Sequence, residues 1–249
     1  MDAGARTGSA PAAAGREHGR EPGPELGQEY DATPYLPARG GLKNLERAAS
    51  GCRGCPLFRD ATQTVFGSGP AGARLMLVGE QPGDQEDLRG EPFVGPAGRL
   101  LHKALDEAGL ADEGAYLTNV VKHFKFALAP RGKRRIHKAP SLREMTACRP
   151  WLLEELRLVD PEVLVVLGGT AGKALLGSSF RVGERRGVLL PMPAPPGGEP
   201  GPPAGQLLAT VHPSAVLRSE DREGAFAGLV ADLSVAAAAL GLPGPKPSE

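Results

Sequence analysis

Four short runs in this chain are apolar on both faces, and they restrict its fold more than any other feature. They are Arg74-Leu-Met-Leu-Val-Gly79, Ala115 to Val121, Glu162-Val-Leu-Val-Val-Leu-Gly168 and Gln206 to Val211. Each is strand-length and continuously apolar rather than alternating, the pattern of a strand in a parallel sheet covered by helices on both sides. Helix-period segments lie between them: Ala97 to Ala108 with Leu100, Leu101, Ala104 and Leu105 inward, Ser141 to Leu158, Thr170 to Leu176, and Glu220 to Leu240. This alternation predicts an α/β fold, three-layer α/β/α around a central four-stranded, mainly parallel sheet. Ligands of such sheets sit at the carboxyl ends of the strands.

The 249 residues, 41% of them hydrophobic, suffice for one core with tails. Residues 1–41 are crowded with Gly, Ala, Pro and Glu and lack periodicity, which predicts a disordered tail ahead of a domain at 42–240. A Pro/Gly segment at 191–205 reads as a surface loop, and 241–249 as a flexible C-terminal tail. No apolar run approaches the roughly 20 residues that span a bilayer, and the N-terminus lacks the apolar core of a signal peptide. The expectation is a cytoplasmic protein with no membrane contact. Three cysteines are too few for a disulfide framework and point to metal binding or buried thiols.

Chemistry-bearing residues gather where the strands end. After the first run comes Gly79-Glu80-Gln81-Pro82-Gly83-Asp84-Gln85-Glu86-Asp87, whose turn brings carboxylates together as base, water holder or cation stabiliser. Phe93, between Pro92 and Val94-Gly95-Pro96, offers a stacking platform for a planar ring. Asn119 ends the second run and presents a donor beside an acceptor, the complement of one pyrimidine edge. His212 ends the fourth, suited to donate to a developing anion, with Arg218 six residues on to hold a phosphate.

Between Lys122 and Arg143 stand eight basic residues and no acidic one, although the whole chain has a formal net charge of zero. A local excess of charge implies a local polyanionic partner. Its middle, Lys133-Arg134-Arg135-Ile136-His137, is flanked by Gly132 and Pro140 and reads as a loop carrying an imidazole. Cys52-Arg53-Gly54-Cys55-Pro56 and Cys148 supply three thiols, and His123 is the candidate for a fourth ligand. By residue count, tetrahedral zinc and an iron–sulfur cluster both remain open.

Taken in order, the C-x-x-C turn, Gly-Glu-Gln-Pro-Gly, Thr-Asn-Val-Val-Lys, Lys-Arg-Arg-Ile-His and His-Pro-Ser-Ala-Val-Leu-Arg resemble the uracil-DNA glycosylase superfamily. More narrowly they resemble its UdgX type, a relative of the family-4 iron–sulfur enzymes, over about 42–240. The resemblance implies a monomer that excises uracil from DNA, single-stranded at least as well as double-stranded, and a [4Fe–4S] cluster on Cys52, Cys55, His123 and Cys148. Family-4 enzymes have a cysteine where this chain has His123. It further implies that Gln81 and Asn119 read the flipped uracil, Phe93 stacks on it, and His212 donates to its anionic oxygen. Glu80, Asp84 or Asp87 would support the cationic sugar, with Glu80 also orienting His137 through its other ring nitrogen. Lys133, Arg134, Arg135, Ser214 and Arg218 would contact DNA, and His137 would bond covalently to the sugar. Two rivals remain: a turnover glycosylase releasing free abasic DNA, and a noncatalytic iron–sulfur nucleic-acid binder.

Overall fold

The computed structural model describes residues 30–192 and 205–243. Residues 1–29 of the segment 1–41 expected to be disordered, most of the Pro/Gly loop and the last six residues lie outside them. Strands β1 (Leu75–Gly79), β2 (Tyr116–Asn119), β5 (Val163–Leu167), β6 (Leu189–Pro191) and β7 (Gln206–Thr210) form one sheet in the order β2-β1-β5-β7-β6. β3 (Phe126–Leu128) and β4 (Arg135–His137) form a separate antiparallel hairpin. The helices are α1 (Leu42–Ala49), α2 (Asp84–Arg89), α3 (Pro96–Glu107), α4 (Leu142–Val159), α5 (Gly168–Leu176), α6 (Val182–Arg185), α7 (Pro213–Arg218) and α8 (Arg222–Ala239).

The four strands expected from the apolar runs are those paired in parallel, β2-β1-β5-β7. The fifth, β6, pairs antiparallel at the edge beside β7 and was not expected. Alternate residues of each strand face opposite layers. Met76, Val78, Leu164, Val166 and Leu207 pack with Leu45 of α1, Trp151 and Leu152 of α4, and Ala171 of α5. Leu75, Leu77, Val163, Val165 and Leu208 pack with Leu101 and Leu105 of α3 and with Leu229 and Leu233 of α8. Two buried layers explain why the runs are apolar throughout. Ser141 caps α4 through a capping box with Glu144, which fixes where the basic segment ends and the helix begins.

Two expectations change. The domain starts before residue 42, because Ala32 is buried and its N–H bonds to the carbonyl of Ala147. The segment around His137 is not a plain loop, since Arg135–His137 pairs with Phe126–Leu128 in the hairpin.

Close packing at the end of β1 shapes the cavity. A Cβ on Gly98 of α3 would lie 1.8 Å from the Phe93 carbonyl oxygen, so only glycine lets the helix abut that residue. Phe93 itself sits at φ 57°, a conformation unfavourable for a bulky residue and held by its surroundings. Gly98→Ala should therefore destabilise the fold by about 2–3 kcal/mol or more, as overpacking does. Urea denaturation checks this, and an unchanged midpoint would show that the contact can relax.

Candidate functional site

A cavity of about 570 Å³ opens where β1, β2, β5 and β7 end, at the carboxyl side of the sheet. Glu80, Gln81, Phe93, Asn119, His137, His212, Ser214 and Arg218 all line it. Sequence positions from 80 to 218 thus meet at one place, as doubly wound sheets require of their ligand sites. Asp84 and Asp87 are not among the lining residues.

Asn119 and Phe93 meet over Gly79. A Cβ on Gly79 would fall 2.4 Å from Asn119 Oδ1 and 2.8 Å from Phe93 Cζ, so the bare backbone there lets carboxamide and ring converge. Both side chains are buried. An aromatic face beside a donor–acceptor pair suits a planar heterocycle with polar edges.

His212 precedes α7 and caps it. Its Nδ1 accepts the N–H of Ser214 at 3.1 Å and lies 2.8 Å from the Ser214 hydroxyl. An Nδ1 that accepts a backbone N–H carries no proton, which leaves the neutral ring's proton on Nε2. Burial, then the charges of Arg218 and His137, pull its pKa down to about 4. His212 is a neutral N–H donor at neutral pH.

His137, half-exposed on β4, reaches the cavity from the hairpin. Gln81 holds that hairpin. Its Oε1 accepts the N–H of Lys125 at 3.1 Å, and its Nε2 faces the carbonyls of Lys125 and Lys138 at 3.2 and 3.0 Å. These partners fix which end of the amide is the donor, so the 2.8 Å contact from Gln81 Nε2 to His137 Nε2 makes that ring nitrogen the acceptor. Glu80 Oε1 lies 3.5 Å from the same nitrogen. Glu80 and Gln81 thus both stand at the same ring nitrogen of His137. Gln81's side chain is committed to the hairpin and leaves only its backbone for a ligand. Burial lowers the His137 pKa, Arg218 adds to the effect and Glu80 opposes it.

Arg135 departs most from expectation. Its guanidinium bonds Asp84 Oδ1 at 2.6 Å and Asp87 Oδ2 at 2.5 Å, and lies over the rings of Phe124 and Phe126 at 5.3 and 5.0 Å. Asp87 is fully buried and also accepts the N–H of Thr62. These three residues brace the hairpin against α2 rather than meeting a nucleic-acid backbone or a sugar. Of the other basic residues in the segment, Lys122 is buried and Lys125 pairs with Glu144. Arg143 lies 3.9 Å from the Tyr30 ring centre. Arg131, Lys133, Arg134 and Lys138 are exposed around the hairpin, as is Arg218 at the cavity.

The cysteines come together in the core between α1 and α4. Cys52, Cys55 and Cys148 are buried and close enough for their charges to interact. Burial lifts the thiols, to about 11 at Cys55 and about 12 at Cys148. N–H donors are nevertheless aimed at the sulfurs: the Trp151 indole to Cys52 and the Lys122 backbone to Cys148, each at 3.3 Å, with the backbone at Gly54 and Leu57 serving Cys52 and Cys55. Among the described residues no three His, Cys, Asp or Glu side chains converge on a single metal-ion position. His123 Nε2 lies 3.0 Å from Thr64 Oγ1, whose hydroxyl proton goes to the Ala49 carbonyl. Nε2 therefore donates, leaving Nδ1 with the lone pair, and burial holds the ring neutral with a pKa of about 4.

Two features escaped the sequence. Glu86 lines the cavity and accepts the Gly95 N–H at 2.8 Å, and its place in a run of acidic residues gave no sign of burial. Lys122 pairs with Glu155 in the core, and a lysine at the head of a basic run reads as solvated.

The profile of the uracil DNA glycosylase superfamily matches residues 66–234. The type-4 uracil-DNA glycosylase of Thermotoga maritima is 35% identical over 176 residues, covering 69% of this chain and 81% of that protein. That of Pyrobaculum aerophilum is 34% identical over 190 residues, covering 74% and 89%. A type-5 uracil-DNA glycosylase of Mycobacterium leprae is 30% identical over 167 residues, covering 55% and 71%.

Arg135→Ala should cost about 3 kcal/mol of stability, since it strands the buried Asp87 carboxylate. Arg135→Lys should recover little, because an ammonium cannot span both carboxylates as the guanidinium fork does. Urea denaturation checks both, and a loss below about 0.5 kcal/mol, typical of exposed pairs, would make the brace a surface contact.

Proposed function

The chain belongs to the uracil-DNA glycosylase superfamily, and from that membership we propose that it removes uracil from DNA and, as a UdgX-type member, ends covalently joined to the abasic sugar through His137. The observation that carries this reading is the placing of the His137 imidazole, neutral and with its Nε2 lone pair inward, in the same cavity as Glu80, Asn119, Phe93 and His212.

The bond between uracil and its sugar breaks through an oxocarbenium-like sugar and a departing uracil anion. Extruding the base costs a few kcal/mol, least in single strands, so single-stranded substrate serves at least as well. In the cavity the base stacks on Phe93 while the Asn119 carboxamide meets its polar edge, and the backbone at Gln81 lies within the same wall. His212 Nε2–H donates to the oxygen where the anion's charge gathers; a neutral donor suits this because it needs no proton transfer. Glu80, buried more than His137 and 3.5 Å from its Nε2, stabilises the cationic sugar. The glycosidic electron pair leaves with uracil, the Nε2 lone pair of His137 forms the new bond to the sugar carbon, and the remaining ring N–H proton passes to solvent. For this the Gln81 hydrogen bond to Nε2 must open. An alkylated imidazole is a poor leaving group, so the protein acts once.

The cysteine site fits a [4Fe–4S] cluster better than one ion. Cluster ligands grip the corners of a cage and need not converge on a point, and N–H donors to sulfur are what bound thiolates require. Cys52, Cys55, Cys148 and the His123 Nδ1 would hold it, with Thr64 orienting the imidazole from behind. Such a cluster would tie the chain before β1 to α4 and would supply electron-transfer capacity that the excision does not use.

Protein mixed with uracil-DNA should give a complex stable to boiling in detergent, absent with thymine-DNA, with mass spectrometry placing the adduct on His137. His137→Ala should give none, whereas free abasic DNA from wild type would identify a turnover enzyme. Adduct formation should hold below the ordinary histidine pKa of about 6.5 and fall only as His137 protonates, because its lowered pKa keeps the nucleophile neutral. A fall already complete at pH 6.5 would show that the half-buried imidazole titrates no lower than a free one.

Noncovalent DNA affinity should fall steeply with salt, and Lys133→Ala/Arg134→Ala should flatten the dependence by about one to two counterions. An unaltered slope would remove the hairpin from the backbone contacts. Purified protein should be yellow-brown with iron and acid-labile sulfide, and folded protein holding only zinc would overturn the cluster.

A further inference from the structure

Lys122 and Glu155 face each other beside the cavity, and the chemistry above uses neither. Their side chains are 1% and 0% exposed. Lys122 Nζ donates to Thr118 Oγ1 at 2.7 Å, to the Asn119 carbonyl at 2.8 Å and to Glu155 Oε2, which places all three ammonium protons. Glu155 Oε1 accepts from the Tyr116 hydroxyl at 3.0 Å and from Thr118 Oγ1 at 2.9 Å. Desolvation offsets most of the attraction in such a pair, and an apolar pair of equal volume often serves stability as well. What the pair supplies is geometry. β2 is an edge strand, and Asn119 is its last residue, with its carboxamide against Gly79 and its carbonyl on Lys122.

We propose that the Lys122–Glu155 pair is a positioning device for uracil recognition. By gripping the Asn119 carbonyl it fixes the peptide that aims the Asn119 carboxamide into the cavity. The inference rests on the reading that Asn119 meets the uracil edge.

Lys122→Met/Glu155→Leu removes both charges together and strands neither. It should fold but melt below wild type, because the Tyr116 and Thr118 hydroxyls and the Asn119 carbonyl lose these partners. At a temperature where it is folded it should release uracil from single-stranded DNA about tenfold more slowly at saturating protein, with half-saturation changed by less than about twofold because phosphate contacts set it. In an Asn119→Ala background the same double change should cost less than about twofold, since no carboxamide remains to be misaimed. If the double variant fails to fold, Lys122→Met/Glu155→Gln, which removes both charges and the grip on the Asn119 carbonyl but keeps an amide oxygen for the Tyr116 and Thr118 hydroxyls, should show the same split. A full excision rate in the folded variant, or an equal loss in the Asn119→Ala background, would overturn the proposal. Should wild type release no uracil, the uracil reading fails by itself, and a crystal structure of the variant still decides the positioning. A carboxamide displaced from Gly79 supports it; an unmoved one refutes it.

Discussion

One guanidinium joins the hairpin that carries His137 to the rest of the molecule. Arg135 stands between Asp84 and Asp87 of α2 and over two phenylalanine rings, so its charge is matched on one side and its flat face is covered on the other. A two-stranded hairpin of three-residue strands has little stability of its own. Without the brace, the imidazole two residues along would sample positions far from the cavity. Gln81 adds a second anchor from the end of β1, binding both strands of the hairpin at Lys125 and Lys138. His137 is therefore held through polar contacts of its hairpin with α2 and with the end of β1 and not through full burial of the histidine.

Much of the fold was legible because its strands are buried on both faces, and only a covered parallel sheet asks for that. β6 and the hairpin were not legible. Their strands are three residues long, and one contains a proline while another begins with arginine and ends with histidine, so neither periodicity nor propensity marks them. Side-chain roles failed where charge was read as exposure. Lys122, Arg135, Asp87 and Glu86 all lie in runs of like-charged residues, and each is wholly or mostly buried against a partner distant in sequence. Only the fold discloses such partners. The cavity residues Asn119, Phe93, His137 and His212 were legible because each ends or follows a strand or stands in a motif whose chemistry matches its place.

The site also keeps two histidines uncharged, although Glu80 beside His137 would by itself favour protonation there. Burial opposes that at both rings, and Arg218 adds to it at both. A cation first read as a phosphate ligand thus has a second effect on its neighbours. If His212 were charged, it would still donate a hydrogen bond, but its repulsion would weigh against a cationic sugar nearby. If His137 were charged, it would have no lone pair to offer. Phosphate binding at Arg218 would reduce its repulsion and raise both pKa values toward ordinary ones, so burial must carry most of the shift once DNA is bound. That ordering agrees with burial being the larger cause at each ring. The depth that would admit a base is thus also what keeps these imidazoles unprotonated, as the proposed chemistry requires.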